Sequence, residues 1–182
     1  GPAPRNVSTA SATSTALPAF DAIRPEHIAP AVDEWLTQAS AALETVVAPG
    51  FAADWLALAR TLDVATERLS RGWGAVGHLN AVADSPELRA AYNEALPKVT
   101  AFWTRLGADE RLYGKYKAID AGALNAAQRQ ALANARRNFV LSGADLQGEA
   151  KARFAAIQER QAELAQKFSE NVLDATDQWS TL

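Results

Sequence analysis

The chain has 182 residues, with 18 Lys and Arg against 21 Asp and Glu, two His, no Cys and no Met. Without cysteine it has no disulfide framework, thiolate zinc site or cysteine nucleophile, and a reducing compartment is mildly favoured. The net charge of −3 is not the basic surface that a nucleic-acid partner requires, and the uncharged stretch Gly72–Ala83 has 12 residues, too few for the roughly 20 of a membrane span.

Hydrophobic residues make up 48% and charged residues 21% of the chain, a soluble globular balance at a length that suits one domain. Alanine, the best helix former, exceeds a fifth of the residues, and alternating apolar and polar runs hardly occur. An all-α fold is expected, a bundle of six or seven helices.

Gly1–Ala19 is Ser/Thr/Ala/Pro-rich with one charge, Arg5. It has too little apolar surface to offset its ordering entropy, so 1–19 is expected to be a disordered segment or a tag remnant. Helical periodicity opens near Pro25, restarts at Pro30 and runs through Ile28, Val32, Trp35, Leu36, Ala39, Leu43 and Val46 until Pro49-Gly50 ends it. Asp54 is positioned to cap a second helix carrying Trp55, Leu58, Leu62, Ala65 and Leu69. Glycines at 72, 74 and 77 weaken it, which predicts a kink or break before His78.

Ser85-Pro86-Glu87 reads as the next helix start, and Pro97 is expected to bend that helix. A short helix from Asp109 carries Leu112, Tyr113 and Tyr116. Asn125 with Gln128 resembles a capping box, and Gly143 suits a left-handed helix end. The last helix is expected from about Glu149 to about Asp177, with the stripe Phe154, Ile157, Leu164, Phe168 and Val172. The segment 178–182 then alternates, as the start of a further element cut short. The helical domain is thus bounded at 20–177. A cut through a larger protein would leave apolar surface uncovered, which predicts that some of the last stripe, or Trp179, is partly exposed or covered by a neighbouring chain.

Few residue patterns point to chemistry. Gly72-Trp73-Gly74-Ala75-Val76-Gly77 matches G-x-G-x-x-G in letters, but a dinucleotide site needs it between a strand and a helix, and its flanks are helical. His27 and His78 are the only imidazoles; no H-E-x-x-H places two zinc ligands one helical turn apart. There is no G-x-S-x-G elbow. Asp33-Glu34 and Asp109-Glu110 fall where helix starts or solvated faces explain them. Arg129, Arg136 and Arg137 form a local positive excess, a solvated face rather than an anion site. No catalytic or metal-ligating residue is expected in this chain, and no substrate-binding residue is singled out.

Several ordered blocks nevertheless form a pattern. They are Pro18–Val32, His78-Leu79-Asn80, Ser85–Arg89, Leu112-Tyr113 with Tyr116, Leu124-Asn125 with Phe139–Gly143, and above all Phe168-Ser169-Glu170-Asn171-Val172-Leu173-Asp174-Ala175-Thr176 with Trp179. Together they resemble the N-terminal helical region of the thimet oligopeptidase family of zinc metallopeptidases. The resemblance implies a cytoplasmic enzyme that cleaves short unfolded peptides, with zinc held by H-E-x-x-H and a downstream glutamate. Those residues would lie in a C-terminal catalytic domain, so none is carried onto this chain. The helices here would form the wall of a channel that excludes folded proteins. This chain would then need its own catalytic domain as partner, with no cofactor of its own, no nucleic acid and no membrane. The competing reading is a self-sufficient, non-catalytic helical interaction module.

Overall fold

The computed structural model describes residues 23–180; the segment 1–19 and the last residues, 181 and 182, lie outside them. Seven α-helices follow one another, and no strand occurs among the described residues. They are α1 (Pro25–Val47), α2 (Trp55–Leu58), α3 (Val64–Ala83), α4 (Pro86–Gly107), α5 (Glu110–Ala118), α6 (Ala126–Leu141) and α7 (Gly148–Ser180). A π-helical turn, Ala59–Asp63, joins α2 to α3 into one rod, and a single 3-10 turn, Ala121–Ala123, precedes α6.

The caps explain where the helices begin. The Asp54 carboxylate accepts from the N–H of Ala57 at 2.9 Å, and Ser85 Oγ accepts from that of Leu88 at 3.1 Å. Asn125 and Gln128 form the reciprocal box, each side chain accepting from the other's backbone N–H at 2.8 and 3.0 Å. Gly143 takes φ +87° just past α6, the conformation in which glycine alone escapes the Cβ penalty.

Three expectations change. Pro30 lies inside an unbroken α1 rather than restarting it. Helix α3 runs through Gly72, Gly74 and Gly77 without interruption, and the irregularity sits upstream at the π turn. Packing is the reason. Gly72 is buried under the Trp35 ring of α1, so close that a Cβ there would lie 2.4 Å from Cη2. Trp73 stacks on Tyr92 of α4 at 4.6 Å, with ring planes 10° apart. Finally, α7 continues as helix through 178–180, where the sequence suggested a new element.

Helix α1 lies at the centre, packed against α3, α4 and α5. Its N-terminal half joins α3 and α4 around Ile28, Val32, Val76, Leu88 and Val99. Its C-terminal half joins α2, α5 and α6 around Leu43, Val46, Leu58, Leu112, Leu132 and Phe139. Ala39, Leu69 and Phe102 form a small cluster between the two. Helix α7 packs mainly against α4.

Candidate functional surface

The expected chemistry-bearing residues fall into structural roles. The Nδ1 of His27, in the first turn of α1, accepts from the N–H of Arg24 at 3.3 Å. His78 is exposed on α3 and has an interaction of its own. Among the described residues no three His, Cys, Asp or Glu side chains are grouped so as to hold a metal. Two imidazoles on different helices without a third donor do not fit a catalytic zinc. The G-x-G-x-x-G glycines lie mid-helix, with no free helix N-terminus for a phosphate.

The carboxylate pairs behave as caps and surface partners. Asp33 meets Lys98 at 3.3 Å, Glu34 accepts from Gln38, and Glu110 lies 3.5 Å from Lys151. Asp109 is buried, which the sequence did not indicate, and caps α5 through the N–H groups of Arg111 and Leu112. Burial pushes its carboxyl up, but hydrogen bonds from the Arg111 side chain and the Leu112 N–H outweigh that and hold it below the usual range. Arg111 bridges on to Glu44 of α1 at 2.9 Å.

The three arginines do not converge on an anion. Arg136 donates to the carbonyls of Tyr116, Lys117 and Ile119 at 3.1–3.2 Å, closing the C-terminal end of α5. Arg129 and Arg137 stay exposed.

The unusual surface is α7. Its apolar stripe points to solvent: Ile157 is 51% exposed, Leu164 51%, Phe168 71%, Val172 49% and Trp179 83%. This exposure matches the expectation for the last helix. The half-buried face mixes Phe154, Ala155, Ala162 and Leu173 with polar residues that bond to α4. Gln166 donates to Asn93 at 3.1 Å, and Asn93 donates to Glu170. Arg89 reaches Asp174 at 2.9 Å and Asp84, at the left-handed end of α3, at 2.6 Å. The Arg89 guanidinium holds the Asp84 carboxyl down, and hydrogen-bonded Asp84 pushes the Asp177 carboxyl up.

Two clefts flank Phe154 beside this seam. One, of about 650 Å³, lies between Arg105, Asp109, Gly143 and Lys151; the other, of about 450 Å³, lies between Trp103, Ser142 and Gln158. Sequence reasoning missed the polar seam. Its only signal is that Gln166, Glu170, Asp174 and Asp177 recur at helical spacing, which ordinarily marks a solvated face.

The sequence is similar to known proteins over most of its length. Residues 31–151 match the family model of the neurolysin/thimet oligopeptidase N-terminal domain. Oligopeptidase A of Salmonella typhimurium is 43% identical over 174 residues, 93% of this chain and 26% of that protein. Oligopeptidase A of Escherichia coli is 41% identical over 91% of this chain and 25% of its own length. The organellar, chloroplastic/mitochondrial oligopeptidase A of Arabidopsis thaliana is 35% identical over 91% of this chain and 21% of its own length. The chain spans about a quarter of the length of these curated relatives.

Proposed function

The chain belongs to the neurolysin/thimet oligopeptidase family, whose N-terminal domain it matches, and from that premise we propose that it is the channel-wall domain of an oligopeptidase A-like zinc metallopeptidase. The parent enzyme hydrolyses short, unfolded peptides in the cytoplasm. This domain contributes no zinc ligand and no general base. It shapes the entrance and excludes folded proteins from a catalytic domain that carries the zinc. No helix among the described residues is long and apolar enough to cross a membrane.

The observation that carries the reading is the relatedness over nearly the whole chain to proteins four times as long. The uncovered apolar stripe of α7 supports it, because a domain packed within a larger enzyme keeps one apolar face for its neighbour.

The test compares this chain with the product of its own complete gene. We expect the 182-residue chain, equilibrated with zinc and buffer-exchanged, to retain no stoichiometric metal and to leave a fluorogenic short peptide uncut. We expect the gene-length protein to cleave it in a chelator-sensitive way. A gene product that ends near Leu182 and lacks H-E-x-x-H would instead make this a self-sufficient helical interaction module. One bound zinc per chain here, with cleavage abolished by His27→Ala or His78→Ala, would place an active site within these helices.

A further inference from the structure

Six charged side chains line the cleft of about 650 Å³ where the end of α4, the start of α5 and the first turns of α7 meet. Four of them neutralise one another. Arg111 pairs with Asp109 at 2.9 Å, and Lys151 lies 3.5 Å from Glu110. Arg105 of α4 and Glu159 of α7 are left over. Among the described residues neither has an ion pair, with the other or with any third group.

The Arg105 guanidinium lies over the Phe102 ring, 5.9 Å from its centre, a contact that steadies the cation without neutralising it. Much of the remaining wall is apolar. Phe154 sits against Gly143, so closely that a Cβ there would lie 3.1 Å from Cδ1, and Ala101 and Ala155 line the same cleft. The volume falls within the roughly 300–1,000 Å³ of small-ligand sites, which join apolar walls to a few placed polar groups. A ligand that answers both unpaired charges must carry one anionic and one cationic end on a short, uncharged body.

We infer that this cleft binds a short peptide with free ends, its α-carboxylate on Arg105 and its α-ammonium on Glu159. Small apolar side chains of the peptide lie against Phe154. The guanidinium fork donates two parallel hydrogen bonds to a carboxylate, a match that a lone solvated charge does not use. The choice of a peptide over other zwitterions rests on the proposed function. Hydrolysis of a peptide bond makes one new carboxylate and one new ammonium, so the products of a peptidase carry both ends that the cleft answers. The bound peptide ties α4 to α7, and the 182-residue chain holds every residue the site needs.

The test uses trialanine, with N-acetyl-trialanine and trialaninamide to remove one charged end at a time. Trialanine is expected to bind the 182-residue chain with a dissociation constant on the order of 1 mM, shifting amide resonances of residues 101–108 and 148–159. At 10 mM it is expected to raise the thermal midpoint by about 3 °C. Blocking either end is expected to weaken binding about fivefold. Arg105 and Glu159 are both surface-exposed, so replacing them removes no core contact. Arg105→Gln is expected to bind trialanine and trialaninamide equally while still discriminating against the acetylated peptide. Glu159→Gln is expected to show the opposite selectivity. The gene-length protein is expected to give the same shifts at residues 101–108 and to lose them in Arg105→Gln.

Equal binding of the three peptides, or end selectivity that survives both variants, would overturn the inference. Acetate binding as tightly as trialanine would reduce the cleft to a carboxylate site, also against it. So would shifts in the short chain that the gene-length protein lacks, because the rest of the enzyme would then fill the cleft. Failure of the gene-length protein to bind zinc and cleave peptide would sink the proposed function instead. The end selectivity of the short chain requires no zinc and would still report on the cleft.

Discussion

The buried Asp109 carboxylate accepts from the backbone N–H groups of Arg111 and Leu112 and pairs with the half-exposed Arg111 side chain. Its folded-state pKa lies below the ordinary 3.8. The charged form is therefore bound more tightly in the folded state, and that stabilisation is complete above the unfolded value. It is lost as pH falls through the depressed folded value. Asp63, raised by burial and the nearby Glu67, works in the opposite sense, so the comparison must be made between variants rather than on the wild type alone. Asp109→Asn keeps a capping oxygen and loses the charge; it is expected to cost about 1 kcal/mol at pH 7 and to flatten the loss of urea stability between pH 5 and pH 3. Asp109→Ala is expected to cost about 2 kcal/mol. Equal acid sensitivity in the Asn variant and the wild type would refute the assignment. Gly72 makes a steric counterpart. Alanine is favoured over glycine inside a helix by about 1 kcal/mol, but its Cβ would enter the Trp35 ring. Overpacking of that kind costs roughly 1–3 kcal/mol, so a net loss of about 1 kcal/mol is expected for Gly72→Ala. Gly74→Ala, with open space at its Cβ position, is expected to be neutral or stabilising in the same denaturation series.

At the scale of elements, α5 shows how a nine-residue helix is held. Helices this short are marginal alone. Asp109 satisfies its first N–H groups, Arg136 of α6 takes its last carbonyls, and Lys115 reaches back to the carbonyls of Ala48 and Phe51 after α1. Tyr116 is packed beside Trp55 and Phe139, and burial followed by the negative charge of Asp63 pushes its hydroxyl to about 12. Replacing Arg136 with methionine keeps the aliphatic stem and removes the donors. The expected cost is about 1–2 kcal/mol, seen as a lower urea midpoint and faster amide exchange at the end of α5. Loss of exchange protection confined to α6 would show that Arg136 does not hold α5. The same logic separates α5 from α7. Both make polar contacts with neighbouring helices, but α5 also buries Leu112 and Tyr116 in a core cluster, whereas α7 leaves Ile157, Leu164, Phe168, Val172 and Trp179 exposed.

For the whole molecule, the question is how two core clusters become one cooperative unit. Phe102 of α4 is 1% exposed and sits with Ala39 and Leu69 where the clusters meet, its ring edge against Trp103 at 5.4 Å. Truncation there leaves a cavity that helices α1, α3 and α4 border together, so the expected cost of Phe102→Ala is about 3–5 kcal/mol. The fluorescence and circular-dichroism transitions should stay coincident in the wild type and separate in the variant. Coincident transitions in Phe102→Ala would mean that α1 alone is sufficient to couple the two halves. This α1–α6 body is the rigid wall that the proposed role requires.

Helix content, helix starts and the order of elements were all legible in the sequence, because caps and apolar periodicity act within a few residues. Ser85, Asp109, Asn125 and Gly143 each do locally what their residue types dictate. The family was legible for a different reason, in ordered blocks of residues from Pro18 to Trp179. Three features depended on tertiary structure. Gly72 sits in an unbroken α3 with a tryptophan from α1 filling the space its missing side chain leaves, and no local rule counts atoms from a helix some forty residues away in sequence. Asp109 is buried, and Arg136 is a helix cap, because the α5 ends happen to meet α1 and α6. The orientation of α7 is the clearest case. Its sequence shows one apolar and one polar face, but which face meets α4 depends on what α4 presents, and α4 presents Arg89 and Asn93. An amphipathic pattern fixes that a helix has two faces; only the surface it meets determines which one is turned inward.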